Sequence, residues 1–326
     1  MTDKKLIAVV GATGSQGGGL VQAILADPAQ RFAVRALTRG AQSEKAKALA
    51  AAGAEVVEAD LDDEASVRKA FEGAYGAFVV TNYWAERTPE EEAARTRAQM
   101  EYEQAENAAR AAKDAGVQHL IWSTLEDTRH HFGDDDRVPS LDDGKYKVPH
   151  FDAKGEANDL FEKYGVPTTF LQTTFYYDSM AQGVGPVRDA SGKLVLTMPM
   201  ADQPLSGIAS EDIGKTALGV FKRGDDFVGK TVSIAGDHLT GDQYAAALSE
   251  ALGEEVTYQP LTWDQFRGLG FPGAVEMANM FQYYAEDSAR FTGDRDLNLV
   301  RALNPELKSF DDWVAEHENE LKATVN

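Results

Sequence analysis

The chain contains no cysteine. That removes disulfides, cysteine-ligated zinc and thiol catalysis from consideration. Positive charge is scarce: 32 Lys and Arg stand against 53 Asp and Glu, a formal net charge of −21. A surface of that sign repels phosphate backbones, so no direct nucleic-acid partner is expected, and an anionic cofactor has to meet a locally positive site. No apolar run approaches the roughly 18–20 residues that a transmembrane helix needs, so no membrane partner is expected either. The opening "MTDKKLIAVVGATG" runs straight into a strand and a Gly-rich turn and leaves no room for a separate signal peptide, which points to a cytoplasmic protein. No internal repeat or low-complexity segment interrupts the chain. What remains is 326 residues, 43% of them hydrophobic, enough for one large domain or one large and one small.

The first 125 residues alternate strand and helix signals. "KLIAVV" (5–10), "FAVRALTR" (32–39), "EVVEAD" (55–60), "GAFVVTN" (76–82) and "QHLIWST" (118–124) read as strands. Between them lie helices predicted at 17–28, stopped by Pro28, at 43–54, ending at Gly53, at 63–74, and over a long stretch, 89–115, entered at Pro89 and closed by Gly116. In that last helix Ala94, Ala98, Tyr102, Ala105, Ala109 and Ala112 recur at helical spacing, the pattern of a helix covering a sheet, with dimer contact as a lesser use. Strand–helix alternation at this spacing means right-handed βαβ units and a doubly wound parallel sheet of Rossmann type. Residues 127–149 are irregular and very polar, too long for a routine connection, and read as a functional flap or mobile loop. A helix (about 152–164) and a strand (167–172) follow. Beyond 175 the alternation fades, with "LSGIAS" (205–210) and "GKTVSIA" (229–235) read as strands returning to the sheet, and helices near 210–222, 240–252, 262–285 and 310–322. The expected organisation is an α/β Rossmann domain over 1–174 and a smaller, mostly helical substrate or partner side over 175–326, of which about 204–236 returns to the Rossmann sheet.

"GATGSQG" places glycines at 11, 14 and 17, between a strand and a helix at the head of a βαβ run. That context makes it a phosphate turn: Gly11 allows the tight turn, Gly14 lets the backbone approach a pyrophosphate resting on the helix N-terminus, and Gly17 permits close helix–strand packing. The end of the second strand selects the cofactor. An NAD site carries Asp or Glu there for the ribose 2′-OH, whereas this chain has Thr38 and Arg39, and an arginine fork suits a 2′-phosphate. NADP(H) is favoured, with NAD(H) weaker, and Ser43 and Lys45 stand just beyond. Asp60 and Leu61 in "DLDD" fall where such folds contact adenine. In "TNYW" (81–84) Asn82 is placed to orient the ribose, while Tyr83 and Trp84 are equally compatible with packing.

Together "GATGSQGGG", "VRALTR", "VVTNYW", "HFDAKGE" and, far downstream, "LGFPGAVEMANMFQYY" (269–284) resemble the NmrA-like family, atypical members of the short-chain dehydrogenase/reductase superfamily, and most resemble its NADP(H)-sensing branch, which includes an animal redox sensor. The resemblance spans nearly the whole chain. It implies a Rossmann domain with a smaller helical domain, NADP(H) in the cleft between them, and frequently a regulatory role. Carried over residue by residue, it implies cofactor contacts from Gly11, Thr13, Gly14, Ser15, Gln16, Arg39, Thr81, Asn82, Tyr83 and Lys154, and a backbone segment of Phe175, Tyr176, Tyr177 and Asp178 over the nicotinamide. Two departures stand out. The family's basic residue after the arginine falls near Ser43, which weakens the 2′-phosphate contact or moves it to Lys45, and the 127–149 loop is longer and more acidic than the family pattern.

In catalytic relatives a Ser, a Tyr and a Lys cooperate: the Tyr gives a proton to a carbonyl as hydride arrives, and the Lys lowers the phenol's pKa and holds the nicotinamide ribose. Here Ser123, or its neighbour Thr124, supplies the hydroxyl, Lys154 keeps the ribose role, and His150 stands four residues before it, in the tyrosine's place. General acid catalysis contributes about 10²–10⁴ in rate. A histidine can donate a proton, since its reference pKa is about 6.5, but a nearby lysine works against its charged form and an imidazole reaches differently from a phenol. Tyr146 lies a helical turn earlier and is badly spaced as a substitute; Tyr176 is a further candidate donor. The missing tyrosine favours a redox-responsive sensor or regulator with little or no dehydrogenase turnover. The alternative is an NADPH-dependent reductase of a small carbonyl, quinone or imine; a domain with a vestigial site is argued against by the intact glycines, Arg39 and Lys154. Partners on these readings are a protein or a small-molecule substrate, in a monomer or homodimer. His130 and His131 beside Asp134, Asp135 and Asp136 are read as solvated flap residues, so no metal is expected. Phe281, Tyr283 and Tyr284 fit a cleft roof or a core equally.

Overall fold

A computed structural model describes residues 4–325. Residues 1–3 and 326, at the outer bounds of the two expected units, lie outside the described residues. Among the described residues thirteen strands form: β1 (Lys5–Val9), β2 (Phe32–Thr38), β3 (Glu55–Glu58), β4 (Gly76–Val79), β5 (His119–Thr124), β6 (Thr168–Gln172), β7 (Phe175–Tyr176), β8 (Val187–Arg188), β9 (Leu194–Leu196), β10 (Leu205–Ile208), β11 (Thr231–Ser233), β12 (Asp237–Leu239) and β13 (Val256–Tyr258). Seven of them make one sheet in the order β11-β6-β5-β4-β1-β2-β3, and every pairing in it is parallel. Parallel strands covered on both faces need unbroken apolar runs, and β4 and β5 are buried at every residue.

Helices close both faces. Leu20, Val21 and Ile24 of helix Ser15–Ala26 and Ile213, Ala217 and Val220 of helix Ser210–Arg223 pack on Ile7, Val34, Phe78 and Ile121. The opposite face carries Val67, Ala70 and Phe71, the alanines Ala105, Ala108, Ala109 and Ala112, and Leu160 and Phe161. The first two helices touch through glycines: a Cβ on Gly19 would lie 2.5 Å from the Glu211 carbonyl oxygen, and one on Gly214 would overlap the backbone at Leu20. A third core, built on Phe281, Tyr283, Phe310 and Trp313, belongs to the C-terminal region. Strand order reverses between β1 and β4, and an open α/β sheet offers its ligand crevice at such a switch point.

Several elements differ from their sequence prediction. The long helix is two, Pro89–Ala94 and Arg97–Ala115. Arg95 between them is extended and its guanidinium bonds Asp62 and Glu103, while the Thr96 hydroxyl caps the second helix at Gln99 N. The predicted 262–285 helix is likewise two, Trp263–Arg267 and Ala274–Glu286, parted by "GLGFPG", where Gly270 and Gly273 hold φ of 72° and 87°. The 152–164 and 310–322 helices each break once, into Pro149–Glu156 with Asn158–Lys163 and Phe310–Glu316 with Glu318–Val325. Of the two returning strands, only β11 joins the main sheet. Residues 205–208 pair with β7 and β12 in a separate three-stranded sheet, because Gly207 faces Phe175 rather than β6.

The 127–149 segment is no free flap. Phe132, Val138, Tyr146 and Val148 are buried. The Asp152 carboxylate accepts from the Thr128 amide and hydroxyl at 2.8 and 2.7 Å and from the Lys147 and Val148 amides at 2.8 and 3.0 Å. The Asn279 side-chain amide donates to the Pro139 and Lys147 carbonyls. Polar groups from outside the segment, Asp152 and Asn279, hold its backbone together with its own Asp127, Asp135 and Lys147, which a composition reading counts as solvent-facing.

Candidate functional site

A cleft of about 1250 Å³ runs along the carboxyl ends of the central strands. Its first wall is the turn after β1. Gly11 holds φ +67°, a region closed to most side chains, and a Cβ on Gly17 would lie 2.5 Å from the Gly11 carbonyl oxygen. The helix it feeds begins at Ser15 with Gly14 as its cap, no side chain on the cap and no acid in the first turn, so the first amide groups and the positive end of the helix face the cleft unopposed. Gly11, Thr13, Gly14, Ser15 and Gln16 all line it.

At the far end of β2, Arg39 is exposed and makes no ion pair among the described residues, and Lys45 stands nearby; both line the cleft. Ser43 lines it too, but its hydroxyl oxygen is occupied as the cap of helix Glu44–Ala51, accepting from Ala46 N. Asp60 and Leu61 line the adjoining wall, where the Asp60 carboxylate accepts from the Asp62 amide at 3.0 Å and so shapes the turn. After β4, Asn82 does the same for Trp84 N at 3.1 Å, leaving Tyr83 buried and Trp84 half exposed.

The floor is an ion pair that sequence reasoning missed. The Lys154 ammonium donates to Glu101 Oε1 at 2.8 Å, to the Thr81 carbonyl at 3.2 Å and to the Thr81 hydroxyl oxygen, whose own proton goes to the same Glu101 oxygen at 2.6 Å. Glu101 is 1% exposed. The signal was present: Ala98, Glu101, Ala105, Ala108 and Ala112 share one helical stripe, and an acid inside an alanine face needs a buried cation.

The second missed residue is Glu276, inside "LGFPGAVEMANMFQYY". Its Oε1 accepts from the His150 amide at 2.9 Å and meets His150 Nδ1 at 2.6 Å; its Oε2 accepts from the Tyr83 hydroxyl at 3.1 Å. Burial, and then the charge of Glu276, push the Tyr83 phenol far above its ordinary pKa, so it stays a donor. His150, Tyr83 and Trp84 line the cleft with their rings 4.9–5.7 Å apart. Beyond them the cleft becomes apolar, walled by Leu125, Phe151, Phe175, Met277, Met280 and Tyr284 under Phe271 and Pro272. Of the three aromatics that fitted either roof or core, Tyr284 reaches the cleft, while Phe281 and Tyr283 are fully buried in the C-terminal core.

Other expected residues are not brought to the cleft. The Ser123 hydroxyl donates to Gln16 Oε1 at 2.7 Å, one hydrogen bond behind the wall, and Gln16 in turn donates to the Tyr176 hydroxyl at 2.7 Å. Thr124 donates to the Lys154 carbonyl and Asn158 Oδ1. Tyr146 points away, donating to Glu156 Oε2 at 3.1 Å. Phe175 and Tyr176 line the cleft, but the chain then turns under it: Tyr177 is fully buried against Phe310 and Trp313, and Asp178 accepts from the Ser210 amide and hydroxyl at 3.0 and 2.8 Å. Of the expected strip 175–178, Phe175 and Tyr176 line the cleft and the Tyr177 and Asp178 side chains do not, while Ser179 just beyond lines it again. His131 lies 3.5 Å from Glu286 and 3.8 Å from Asp287, and no group of three or more metal-binding side chains occurs among the described residues. Among them, too, no helix is long and apolar enough to cross a membrane.

A family model described as the NmrA-like family matches residues 3–318. Among characterised relatives, an oxidoreductase of Aspergillus hancockii with an NmrA-like family domain is 30% identical, covering 85% of this chain and 82% of its own. A similarly named oxidoreductase of Malbranchea aurantiaca is 28% identical over 96% of both. Among solved structures, Nmra, a negative transcriptional regulator crystallised in complex with NADP, superposes with a TM-score of 0.76 at 23% identity, covering 99% of this chain and 98% of that one. Citrobacter sp. triphenylmethane reductase complexed with NADP(H) gives 0.68 at 21%, covering 96% and 99%. Likeness at those identities shows a shared fold.

Proposed function

Because the chain belongs to the NmrA-like family, we propose that its cleft binds NADP(H), with NAD(H) held more weakly, and that the protein is an NADPH-dependent reductase of a small apolar carbonyl, quinone or imine. The chain's own features fit a dinucleotide: a turn packed so tightly that a Cβ at Gly17 would meet the Gly11 carbonyl, a helix N-terminus with no capping side chain, and Arg39, without an ion pair among the described residues, where a 2′-phosphate would lie. The bound cofactor supplies the hydride; the chain supplies the walls and the proton. One observation carries the enzymatic reading: His150, in the place of the family's catalytic tyrosine, is paired with Glu276 at 2.6 Å where the cleft passes into its apolar chamber. The Lys154 ammonium is bonded to Glu101, and the carboxylate that meets His150 is that of Glu276. The test is a calorimetric titration with NADPH and NADH, followed by a screen for NADPH oxidation over aldehydes, ketones, quinones and imines. Equal affinities would defeat the NADP(H) assignment, and no turnover across the panel would defeat the reductase.

A second reading, an NADP(H)-responsive regulator with little turnover and a protein partner, is favoured by a specific observation. All three N–H groups of Lys154 are taken by Thr81 and Glu101, so the lysine that tunes the acid in catalytic relatives is held by the protein. Several relatives are named oxidoreductases and one structural neighbour is named a transcriptional regulator. Limited proteolysis that distinguishes NADPH-bound from NADP⁺-bound protein, with no turnover, would favour this reading over the first.

A further inference from the structure

We infer that Glu276 is a positioning residue that keeps a hydrogen on His150 Nδ1 and aims Nε2, which carries the second proton when the ring is an imidazolium, as the proton donor of the cleft; the inference rests on the reductase reading above. Three donors converge on one carboxylate. Oε1 takes the His150 amide and ring Nδ1, and Oε2 takes the Tyr83 hydroxyl. An oxygen that already accepts a backbone N–H can only be an acceptor for Nδ1, so Nδ1 carries a hydrogen. The backbone bond from the same residue fixes where the ring sits, and the rings of Tyr83, Trp84 and Phe151 within 6 Å fix its plane. Nε2, on the opposite side of the ring, has no hydrogen-bond partner among the described residues, and His150 lines the cleft.

The arrangement does for a reductase what an orienting carboxylate does for the histidine of a hydrolase triad. Reduction of a carbonyl consumes one hydride, from the dihydronicotinamide, which bonds to the carbonyl carbon while the C=O π pair moves onto oxygen. It consumes one proton, which passes from Nε2–H of the His150 imidazolium, its charge balanced by the Glu276 carboxylate, to that oxygen. The neutral ring left behind keeps its Nδ1 hydrogen on Glu276 and regains the Nε2 proton from water. Glu276 enters from helix Ala274–Glu286, in the C-terminal region, while His150 and Tyr83 stand on helix Pro149–Glu156 and after β4. The acid is therefore complete only when both halves of the chain are in place.

The test uses the full-length protein labelled with ¹⁵N-histidine. The His150 ring signals, identified by their loss in His150→Asn, should show a hydrogen on Nδ1 with its proton far downfield, as a short charge-assisted bond requires. In Glu276→Gln, which keeps shape and an acceptor but loses the charge, that proton should move upfield. With a substrate from the screen, kcat should fall tenfold or more, within the roughly 10²–10⁴ that a general acid contributes, while the KM for NADPH stays near the wild-type value. A wild-type ring protonated on Nε2 alone, or an Nδ1 proton that does not move in Glu276→Gln, overturns the inference. So does a Glu276→Gln enzyme with undiminished kcat. A wild type that never turns over yet shows the Nδ1 proton responding to Glu276 keeps Glu276 as the residue that sets the ring and defeats the reductase reading alone.

Discussion

Replacing Lys154 with Met should destabilise the protein before it says anything about the cofactor. The side chains of Lys154 and Glu101 are 11% and 1% exposed, and their charged atoms are 2.8 Å apart. Taking away one member of such a pair leaves the other charge buried, at a cost of about 3–5 kcal/mol. What Glu101 keeps is a single bond, from the Thr81 hydroxyl to Oε1; Oε2 has no partner among the described residues. That places the cost toward the upper end, and at 1.4 kcal/mol per decade it is a loss of roughly two to three and a half decades in the folded-to-unfolded ratio. Urea unfolding followed by far-ultraviolet circular dichroism reads it as a lower midpoint at unchanged slope. The double variant Lys154→Met/Glu101→Leu should recover much of the loss, because apolar replacement of both partners leaves no stranded charge. A Lys154→Met protein that unfolds at the wild-type urea concentration would refute the reasoning. So would a double variant no more stable than the single, since the two positions would then be uncoupled.

Arg39→Asp should remove most of a preference for NADPH over NADH, since a charge-assisted contact is worth about 1.5–3 kcal/mol; calorimetry with both cofactors checks it, and an unaltered ratio places the 2′-phosphate elsewhere. His150→Ala should lower NADPH oxidation by about 10²–10⁴, read in steady-state kinetics, and His150→Tyr should restore part of it by returning a phenol one helical turn before Lys154. Brisk turnover surviving in His150→Ala would mean that another group gives the proton. The last concerns pH. Burial lowers the His119 pKa from 6.5 to about 4; its Nε2 bonds Thr169 Oγ1 at 2.8 Å and its Nδ1 has no partner among the described residues. A folded pKa below the unfolded one means that the unfolded chain takes up the proton first. Stability should therefore be intact above pH 6.5 and fall as pH drops from there toward 4, by roughly 3 kcal/mol in all. His119→Gln should flatten that limb in urea midpoints taken across the window.

The parallel sheet was legible because its strands are short apolar runs separated by capped helices at regular spacing, a pattern that leaves few other topologies. The phosphate turn was legible because only its context, strand before and helix after, is needed to read it. Breaks inside helices were not: Arg95 leaves helical geometry and reaches Asp62, 33 residues upstream, and the capping letter Thr96 beside it is legible as a cap only once the break is known. Residues 205–208 were placed in the wrong sheet for a similar reason, since a four-residue strand is equally apolar beside either neighbour. At the site, spacing from Lys154 located His150, but the partners that decide its chemistry come from helices 53 residues upstream of Lys154, in the case of Glu101, and 126 residues downstream of His150, in the case of Glu276. The Tyr177 and Asp178 side chains turn away from the cleft, Asp178 onto Ser210, a partner 32 residues on, before Ser179 lines it again.

The return of β11 to the edge of the main sheet makes the two halves of the chain inseparable as gene fragments. A piece ending at residue 174 would hold the whole phosphate turn, Arg39, His150 and Lys154. It would also leave the edge of β6, which pairs with β11 from Thr231 to Ser233, as a row of bare amides and carbonyls. The glycine-faced side of helix Ser15–Ala26 would lose helix Ser210–Arg223, whose backbone fills it. Such a fragment should aggregate on expression rather than yield a minimal cofactor-binding module. A reporter or affinity tag inserted within the chain would have to sit in an exposed turn that neither seam crosses, such as Asp189–Gly192 between β8 and β9.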